Sequence, residues 1–406
     1  MPFHAAINIQ NLTAIFLHFI TAINTLNSNT RISIFSHKGG KEMSKENNVK
    51  VISYDTNLNR LGVIDVFRSL IWTRKYYECG TFEIHAPLNT RNLKLLAENN
   101  ILSKREFQNK DGHIVKVTSK ESGIIEYIAI DDTVNEITAS GRFLSSIMDR
   151  RAIKTVVNFN GKTEAGMRKL VQSVTAMPFV ELGELKGFTE TVRFQVSYKE
   201  LYAYMCKLSK YSNLGFIIRA DFKVKKFFFE VYEGLDRTES QRERSRVVFS
   251  EIHKNLNGVT YVFSNQNTKT YAIVAGEGEG TARTIVTVGG GAGWDLREVV
   301  VDARDVQKDD DMTDAEYKEI LKQRGNEKLA EYGIIEAMDA QTKPFVNFVY
   351  REDFDLGDIV TVEKKLWGIK MDKRITEIQE IFENGGFDIV QTFGDPLPET
   401  VNLEEN

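Results

Sequence analysis

The sequence predicts a β-rich α+β fold in which two β-barrel or β-sandwich domains flank an α/β insertion. Three observations predict it. Apolar and polar residues alternate at 82–86, helical spacing replaces this alternation after about residue 154, and strand-like segments return from residue 247. The predicted boundaries are therefore 43–153 for the first β domain, 154–246 for the insertion and 247–396 for the second β domain.

Residues 1–42 differ in composition from the rest of the chain. No Lys or Arg precedes Arg31, whereas a signal peptide begins with a basic segment. Polar residues interrupt the apolar stretch too often for a membrane helix, so no stable membrane insertion is expected. Codons for Lys38-Gly39-Gly40 can contain a ribosome-binding sequence shortly before Met43. We expect translation to start at Met43, with 1–42 an untranslated or disordered leader.

The first β domain is predicted from long strand-like runs. Residues 82–86 alternate in polarity, Pro87 ends that strand, and further strands are predicted at 61–72 and 123–130. A short helix is expected near 90–98, because Asn89 is a good N-cap residue.

The insertion is predicted to combine helices and strands. Apolar residues at helical spacing between 167 and 174 indicate one helix, and residues 197–200 fit a capping box that would begin another. The apolar run at 227–232 is typical of a strand. Residues 236–246 are charged and are expected to form a solvated linker or hairpin tip.

The second β domain is predicted to contain an inserted helix at 313–333. Thr313 and Glu316 fit a capping box, and Gly333 is suited to a left-handed helix end. Strands are predicted before the helix at 271–275, 284–288 and 299–302, and after it at 345–350, 359–363 and 387–393. Residues 397–406 are expected to be a flexible C-terminal tail.

Composition argues against several classes of function. The net charge of −4 argues against specific nucleic-acid binding, which needs a clustered excess of Lys and Arg. Two cysteines, Cys79 and Cys206, are too few for a disulfide scaffold or a four-ligand zinc site. The six histidines accompany no metalloprotease or nucleophile-elbow motif. No catalytic, cofactor-binding or metal-binding residue is predicted.

Two features allow alternatives. Residues 276–280 (GEGEG) superficially fit a phosphate-binding loop, but Glu277 and Glu279 would repel phosphate, which favours a β-bulge or tight hairpin. The same two carboxylates could form a glycosidase pair, although close acidic pairs also arise by chance. The tryptophans Trp72, Trp294 and Trp367 could bind carbohydrate, but packing in a core or interface is favoured.

Several motifs follow one another along the chain. They are 79–84 (CGTFEI), 137–144 (ITASGRFL) with 149–151 (DRR), 275–283 (AGEGEGTAR), the capped helix, 356–360 (LGDIV) and 392–396 (TFGDP). In this order, over roughly 49–396, they resemble the siphovirus-type phage tail protein family. That family includes hub proteins at the tips of phage tails and of phage-derived contractile bacteriocins.

The resemblance implies a tail-hub fold with two tube-like barrels per subunit, and a structural protein without enzymatic activity or cofactor. The implied partners are the chain itself as a homotrimer, the tail tube protein, and a spike, fibre or tape-measure protein. The implied location is the tail tip or baseplate of a virion or phage-like particle, after assembly in the bacterial cytoplasm. A tail-associated cell-wall hydrolase and a carbohydrate- or receptor-binding tail-tip module are the alternatives.

The matched motifs supply the candidate structural residues. Gly80, Gly141 and Gly357 are expected at turns, and Asp358 as a hydrogen-bonding turn residue. The full set is Gly80, Phe82, Gly141, Arg142, Gly276, Gly278, Gly280, Arg283, Leu356, Gly357, Asp358 and Gly394.

Overall fold

The computed structural model describes residues 49–105, 107–108, 114–115, 120–310, 312–383 and 386–395. The predicted leader at 1–42 and the predicted tail at 397–406 lie outside the described residues, as does Asp311.

The first part of the chain is mainly β, as predicted. A short helix, α1 (Thr90–Leu95), has Asn89 as N-cap, with the Asn89 side chain accepting a hydrogen bond from the backbone N of Asn92, and a 3-10 helix follows at Leu144–Arg150. The strands are β1 (Val51–Tyr54), β2 (Arg60–Ile64), β3 (Ser69–Lys75), β4 (Thr81–Pro87), β5 (Ile101–Lys104), β6 (Phe107–Gln108), β7 (Ile114–Val115), β8 (Ser122–Asp131) and β9 (Glu136–Phe143).

The insertion contains two helices, α2 (Thr163–Ser173) and α3 (Leu201–Ser212). The capping box predicted at 197–200 is wrong: the N-cap of α3 is Glu200, and its side chain makes no capping hydrogen bond. The strands are β10 (Ala152–Ile153), β11 (Val157–Lys162), β12 (Val180–Leu182), β13 (Thr191–Val196), β14 (Lys199–Glu200), β15 (Gly215–Asp221) and β16 (Lys226–Tyr232).

The last part returns to β around one long helix, α4 (Asp314–Glu331), whose predicted Thr313–Glu316 capping box is present. Gly333 does not have the positive φ expected of it, and the helix ends at Tyr332. The strands are β17 (Val248–Ser250), β18 (Leu256–Ser264), β19 (Tyr271–Ala275), β20 (Ile285–Gly289), β21 (Glu298–Asp302), β22 (Ile335–Thr342), β23 (Ile359–Lys364), β24 (Ile369–Glu383) and β25 (Gly386–Gly394). The strand predicted at 345–350 is wrong, because turns and bends occupy most of that segment.

A single 13-stranded sheet combines both β regions of the chain. Its main order is β18-β22-β25-β24-β3-β4-β9-β8-β5-β1-β2, with β23 pairing beside β24 and β17 beside β23. The two regions join where β3 pairs antiparallel with β24, for example Trp72 with Glu380. Within the described residues this order runs from edge to edge, and no closed barrel is found.

A smaller unit stands apart from this sheet. Strands β20, β19 and β21 form a three-stranded sheet, and α4 packs on one of its faces. Gly325 of α4 allows close approach, since a Cβ there would lie 2.6 Å from the Val288 side chain. The three strands within 271–302 therefore form their own sheet and do not pair with the strands that follow α4. The sequence pattern does not predict this separation.

Candidate functional site

The first two sequence motifs lie side by side on β4 and β9. Phe82 pairs with Gly141, and Thr81 pairs with Arg142. The Phe82 ring is buried against Trp72, with 5.5 Å between ring centroids. Gly141 lies inside β9 and not at the predicted turn, and a Cβ there would lie 1.9 Å from the carbonyl oxygen of Ile124. The absence of a side chain at Gly141 thus lets β9 and β8 lie close together.

Gly80 and Arg142 complete this pair of motifs. Gly80 precedes β4, and a Cβ there would lie 2.2 Å from the carbonyl oxygen of Thr73. Arg142 donates to Glu126 at 2.8 Å and to Asp149 at 2.8 Å. Burial alone would raise the pKa of Glu126, but its hydrogen bonds with Arg142 and Arg150 hold that pKa below its usual value.

An ionic cluster, which we call the junction network, lies where the two β regions meet, and all its charged side chains except Asp355 are buried. Its members are three cations, three carboxylates and one tyrosine: Arg74, Lys104, Arg351, Glu121, Asp355, Glu380 and Tyr350. Their charges balance. The side chains of Lys104 and Glu380 are 0% and 1% exposed, so both ions are removed from water.

Hydrogen bonds connect the junction network across the β3–β24 join. Glu380 accepts from Lys104, from Tyr350 Oη at 2.8 Å and from Arg351 at 2.6 Å. Arg74 in turn donates to Tyr350 Oη at 2.8 Å. Glu121 accepts from both arginines, at 3.2 Å in the case of Arg351. Satisfied hydrogen bonds are what make buried charges tolerable.

The Lys104–Glu380 pair at the centre of the network is charged at neutral pH. Burial lowers the pKa of Lys104 to about 8, although Glu380 favours its charged form. Burial alone would raise the pKa of Glu380, but the charges of Lys104, Arg351 and Arg74 hold it below its usual range. Burial raises the pKa of Tyr350, so its hydroxyl stays protonated and can donate to Glu380.

The Leu-Gly-Asp turn joins β23 to the end of the insertion. Asp358 accepts from the backbone N of Leu235 at 2.7 Å and from Arg237 Nε at 2.8 Å. Gly357 has φ +93°, and a Cβ there would lie 2.3 Å from the Tyr76 ring. Gly357 and Asp358 are therefore turn residues, as predicted, and Leu356 is buried beside them.

The glycine-rich motif forms the hairpin loop between β19 and β20. Gly278 and Gly280 have φ of +100° and +54°, whereas Gly276 does not need positive φ. Arg283 holds this loop closed by donating to the carbonyl oxygens of Gly276 and Ala275, both at 2.8 Å. The predicted β-bulge or tight hairpin is wrong, because residues 276–284 form a longer loop between the two antiparallel strands and include a 3-10 helix at Gly280–Ala282.

The last motif glycine lies at the end of β25. Gly394 has φ +91°, and a Cβ there would lie 2.2 Å from the carbonyl oxygen of Glu336 on the paired strand β22. The motif residues are therefore dispersed: those of β4 and β9 meet, the Leu-Gly-Asp turn contacts the insertion, and 276–283 belong to the separate unit.

The structure also places the other candidate groups. Cys79 is buried, and burial raises its pKa to about 12, which makes it a poor nucleophile. Trp72 is buried in the core as expected, whereas Trp294 is 93% exposed and therefore does not pack in the core of this chain. In the described part of the chain, no group of three or more His, Cys, Asp and Glu residues is arranged to hold a metal ion. No helix there is both long and apolar enough to cross a bilayer.

Comparison with known proteins identifies the family. The family model described as Siphovirus ReqiPepy6 Gp37-like protein matches residues 49–395. The chain belongs to this family. Membership in the Gp37-like family confirms the resemblance to siphovirus-type tail proteins. No curated protein sequence matches the chain.

Solved tail proteins have a similar fold. A tail protein from Neisseria meningitidis MC58 is 12% identical with a TM-score of 0.53, covering 86% of this chain and 97% of its own. A 43 kDa tail protein of prophage MuSo2 from Shewanella oneidensis is 10% identical with a TM-score of 0.52, covering 85% and 98%. Prophage tail protein gp18 from Listeria monocytogenes EGD-e is 12% identical with a TM-score of 0.50, covering 86% and 94%. At these identities the likeness concerns the fold alone.

Sequence reasoning missed the junction network in this Gp37-like protein. One feature of the sequence could have indicated it. In each of two strands a charged residue occupies a position on the face whose other residues are apolar and buried. Glu380 lies between the buried Ile378 and Phe382, and Arg74 follows Leu70 and Trp72 on the same face of β3. Partners 276 residues apart, such as Lys104 and Glu380, could not be paired from such a pattern.

Proposed function

We propose that the chain is a hub subunit of a phage or phage-derived tail. Three copies would form a ring that joins the sixfold tail tube to a threefold baseplate or spike. Its partners would be two further copies, the tail tube protein, and a spike, fibre or tape-measure protein. The protein would reside at the tail tip or baseplate after assembly in the bacterial cytoplasm, and no turnover is proposed.

The observation that carries this proposal is the single sheet made by two β regions that are distant in sequence. Strands from 51–143 and from 248–394 lie side by side through the β3–β24 pairing. The insertion and the unit of β19–β21 with α4 lie outside the main order of that sheet. A subunit built in this way presents two adjacent β modules, so that three copies supply six, which suits a sixfold tube above a threefold base.

Electron cryo-microscopy of intact tail particles tests the proposal. The expected result is three copies at the end of the tube, each placing both β regions in one ring. The chain present as one copy, as six copies or in the sheath would refute it.

A carbohydrate-binding tail-tip module is the second candidate, favoured by the 93% exposed indole of Trp294. Aromatic faces stack on sugars, and a nearly bare tryptophan in a Gly-rich loop is unusual for a residue that only packs. Binding of host cell-wall glycans that is lost in Trp294→Ala and kept in Val224→Ala would support this candidate. Zymography on host cell walls tests the hydrolase alternative, which a clearing band lost in Glu277→Gln or Glu279→Gln would favour.

A further inference from the structure

The unit formed by β19–β21 and α4 has a hydrophobic core of its own. We call the described residues of 271–331 the α4 unit. Its core includes Val274, Tyr317 and Leu321, all of which are buried. Among the described residues, none of this core also packs in the core of the main sheet or of the insertion, whereas Tyr202 packs against both of those. The α4 unit can therefore stay folded when its contacts with the rest of the chain change.

Two short segments connect the α4 unit to the main sheet, and they lie side by side. Residues 265–270 lead into the unit from β18, and residues 332–334 lead out of it to β22. The strand ends that they join, Ser264 and Ile335, are paired with each other. A backbone hydrogen bond of 3.0 Å also links the two segments. Both connections thus lie at one place, which is the geometry of a hinge.

Away from these connections, the α4 unit contacts the insertion through polar groups. The side-chain amide of Gln195 on β13 donates to the carbonyl oxygen of Gln307 at 2.9 Å and accepts from its backbone N at 2.7 Å. Arg324 of α4 donates to the backbone carbonyl oxygen of Gln195 at 3.3 Å. Lys207 of α3 forms an ion pair with Glu331 of α4 at 2.8 Å. Polar contacts are typical of interfaces at which domains of one chain move.

Two buried polar groups oppose docking of the unit on the insertion. The hydroxyl of Tyr204 on α3 is buried and makes no hydrogen bond within the described residues. Glu327 on α4 is 4% exposed, and burial raises its pKa although Arg324 opposes this shift. Its 3.2 Å hydrogen bond comes from Gln323 of the same helix and so does not hold the two modules together. Both groups would regain water if the modules separated.

Packing between the two modules is also incomplete. A cleft of about 320 Å³ lies where strands β11 and β13 of the insertion approach the start of α4. Phe159 and Phe194 line it from the insertion, and Met312 and Ile320 line it from the α4 unit. Apolar side chains that face a gap gain less dispersion energy than side chains in contact. The apolar part of this interface therefore adds little to the polar contacts.

We propose that the α4 unit is a hinged arm that leaves the insertion as one body. In the docked form, which the structure shows, α4 lies against α3 and β13. In the undocked form the unit keeps its own core and swings about the paired ends of β18 and β22. A partner that binds the undocked form would shift the population towards it. The inference goes beyond the hub proposal, because the motion occurs within one copy and needs no ring.

Distances between spin labels in the full chain test the motion. Labels are placed on exposed positions of the two modules by Lys322→Cys on α4 and Val224→Cys between β15 and β16, in a Cys206→Ser background. Cys79 stays in place because it is buried. Double electron–electron resonance should show the docked distance and a second, separate distance. The control pair is Val224→Cys with Gln172→Cys on α2, which lies within the insertion and should show one distance.

Variants at the interface should shift the two populations in opposite directions. Tyr204→Phe removes the unpartnered hydroxyl, so the docked fraction should rise. Glu327→Gln removes the buried charge and should act in the same direction, since Arg324 lies on the same helix and attracts Glu327 in both forms. Gln195→Ala removes both hydrogen bonds to Gln307. It should raise the ratio of undocked to docked form by about fivefold or more, the effect of losing neutral hydrogen bonds.

A crosslink between the modules tests the same motion by a second measurement. Asn158 on β11 donates to Asp309 of the α4 unit at 2.8 Å, and both side chains are exposed. Asn158→Cys and Asp309→Cys are joined by a short reducible bis-maleimide in the Cys206→Ser background. Hydrogen exchange at the backbone N of Gln307, which donates to Gln195, should slow by about tenfold or more. Reduction of the crosslinker should restore the rate of the uncrosslinked double variant, which is the control.

The outcomes separate the arm from the hub function. One distance in both the parent chain and Gln195→Ala would overturn the inference and leave the hub proposal intact. A second distance accompanied by fast hydrogen exchange throughout α4 would also overturn it, because the unit would then unfold and not move as a body. Two distances with slow exchange in α4 would support the arm, even in a particle whose copy number refuted the hub.

Discussion

Glu380→Gln is expected to be the most damaging conservative substitution in the junction network. The change keeps the shape of the side chain but removes one of three carboxylates that balance three buried cations. Lys104, 0% exposed, loses the carboxylate with which its ammonium group forms an ion pair, and Arg351 loses its 2.6 Å contact with a negative charge. Breaking a buried ion pair by removing one partner costs about 3–5 kcal/mol, and we expect a loss in that range.

Lys104→Met is the matched control. Methionine fills much of the same volume, and Glu380 keeps its hydrogen bonds from Arg351 and Tyr350. We expect a smaller loss, about 1.5–3 kcal/mol, the usual contribution of a hydrogen bond to a charged group. The double variant should lose less than the sum of the two single losses, because both changes act on one interaction.

Urea unfolding followed by tryptophan fluorescence measures these losses. Trp72 is a local reporter, since its ring centroid lies 4.9 Å from Lys104 Nζ and the side chain is buried. A cost below about 1 kcal/mol for Glu380→Gln would refute the reasoning, since surface ion pairs contribute that little. Losses that simply add in the double variant would also refute it.

Three further predictions follow from local geometry. Gly357→Val should abolish soluble expression or assembly because its φ is +93°, whereas Gly290→Val, with open space around it, should express normally. Thr313→Ala should cost about 1 kcal/mol of stability by unfolding titration, while Ser197→Ala should cost far less, because Thr313 caps α4 whereas Ser197 is not the N-cap of α3. Glu136 and Glu83 raise the pKa of His85 against the effect of burial, so its stabilisation should be complete below about pH 6.5 and be lost as pH rises through the raised pKa. An imidazole pKa below about 6.5 by NMR titration would contradict this.

Local patterns in the sequence were enough to predict individual elements. The alternation at 82–86 corresponds to β4, and the capping box at Thr313 marks the start of α4. Each of these features depends on residues that are close together in the sequence, so a short segment is enough to predict it. The strand predicted at 345–350 failed because the aromatic residues there reach the core from turns and bends: Tyr350 is buried, and Phe345 and Phe348 pack against the core.

Such local patterns could not predict which strands pair when they are far apart in the sequence. Nothing within 271–302 indicates that these strands pack with α4 in a unit of their own, because the alternation of a strand records that one face is buried and not which element covers it. The β3–β24 join links residues about 300 positions apart, such as Thr73 and Gln379. The feature of this join that the sequence does show is a charged residue at a core position. Such a residue predicts a buried partner but does not identify it.

The junction network also explains why the two β regions behave as one sheet and not as two independent domains. The first region contributes Arg74, Lys104 and Glu121, with a net charge of +1, and the second contributes one cation and two carboxylates, with a net charge of −1. Either half alone would carry an unbalanced set of charges on a surface that is otherwise apolar. The β3–β24 pairing brings both sets together, and every charged group except Asp355 is then almost fully removed from water, where a mispaired charge is most costly. The network therefore favours one register between β3 and β24, and the position of every strand out to the two edges of the sheet depends on that register.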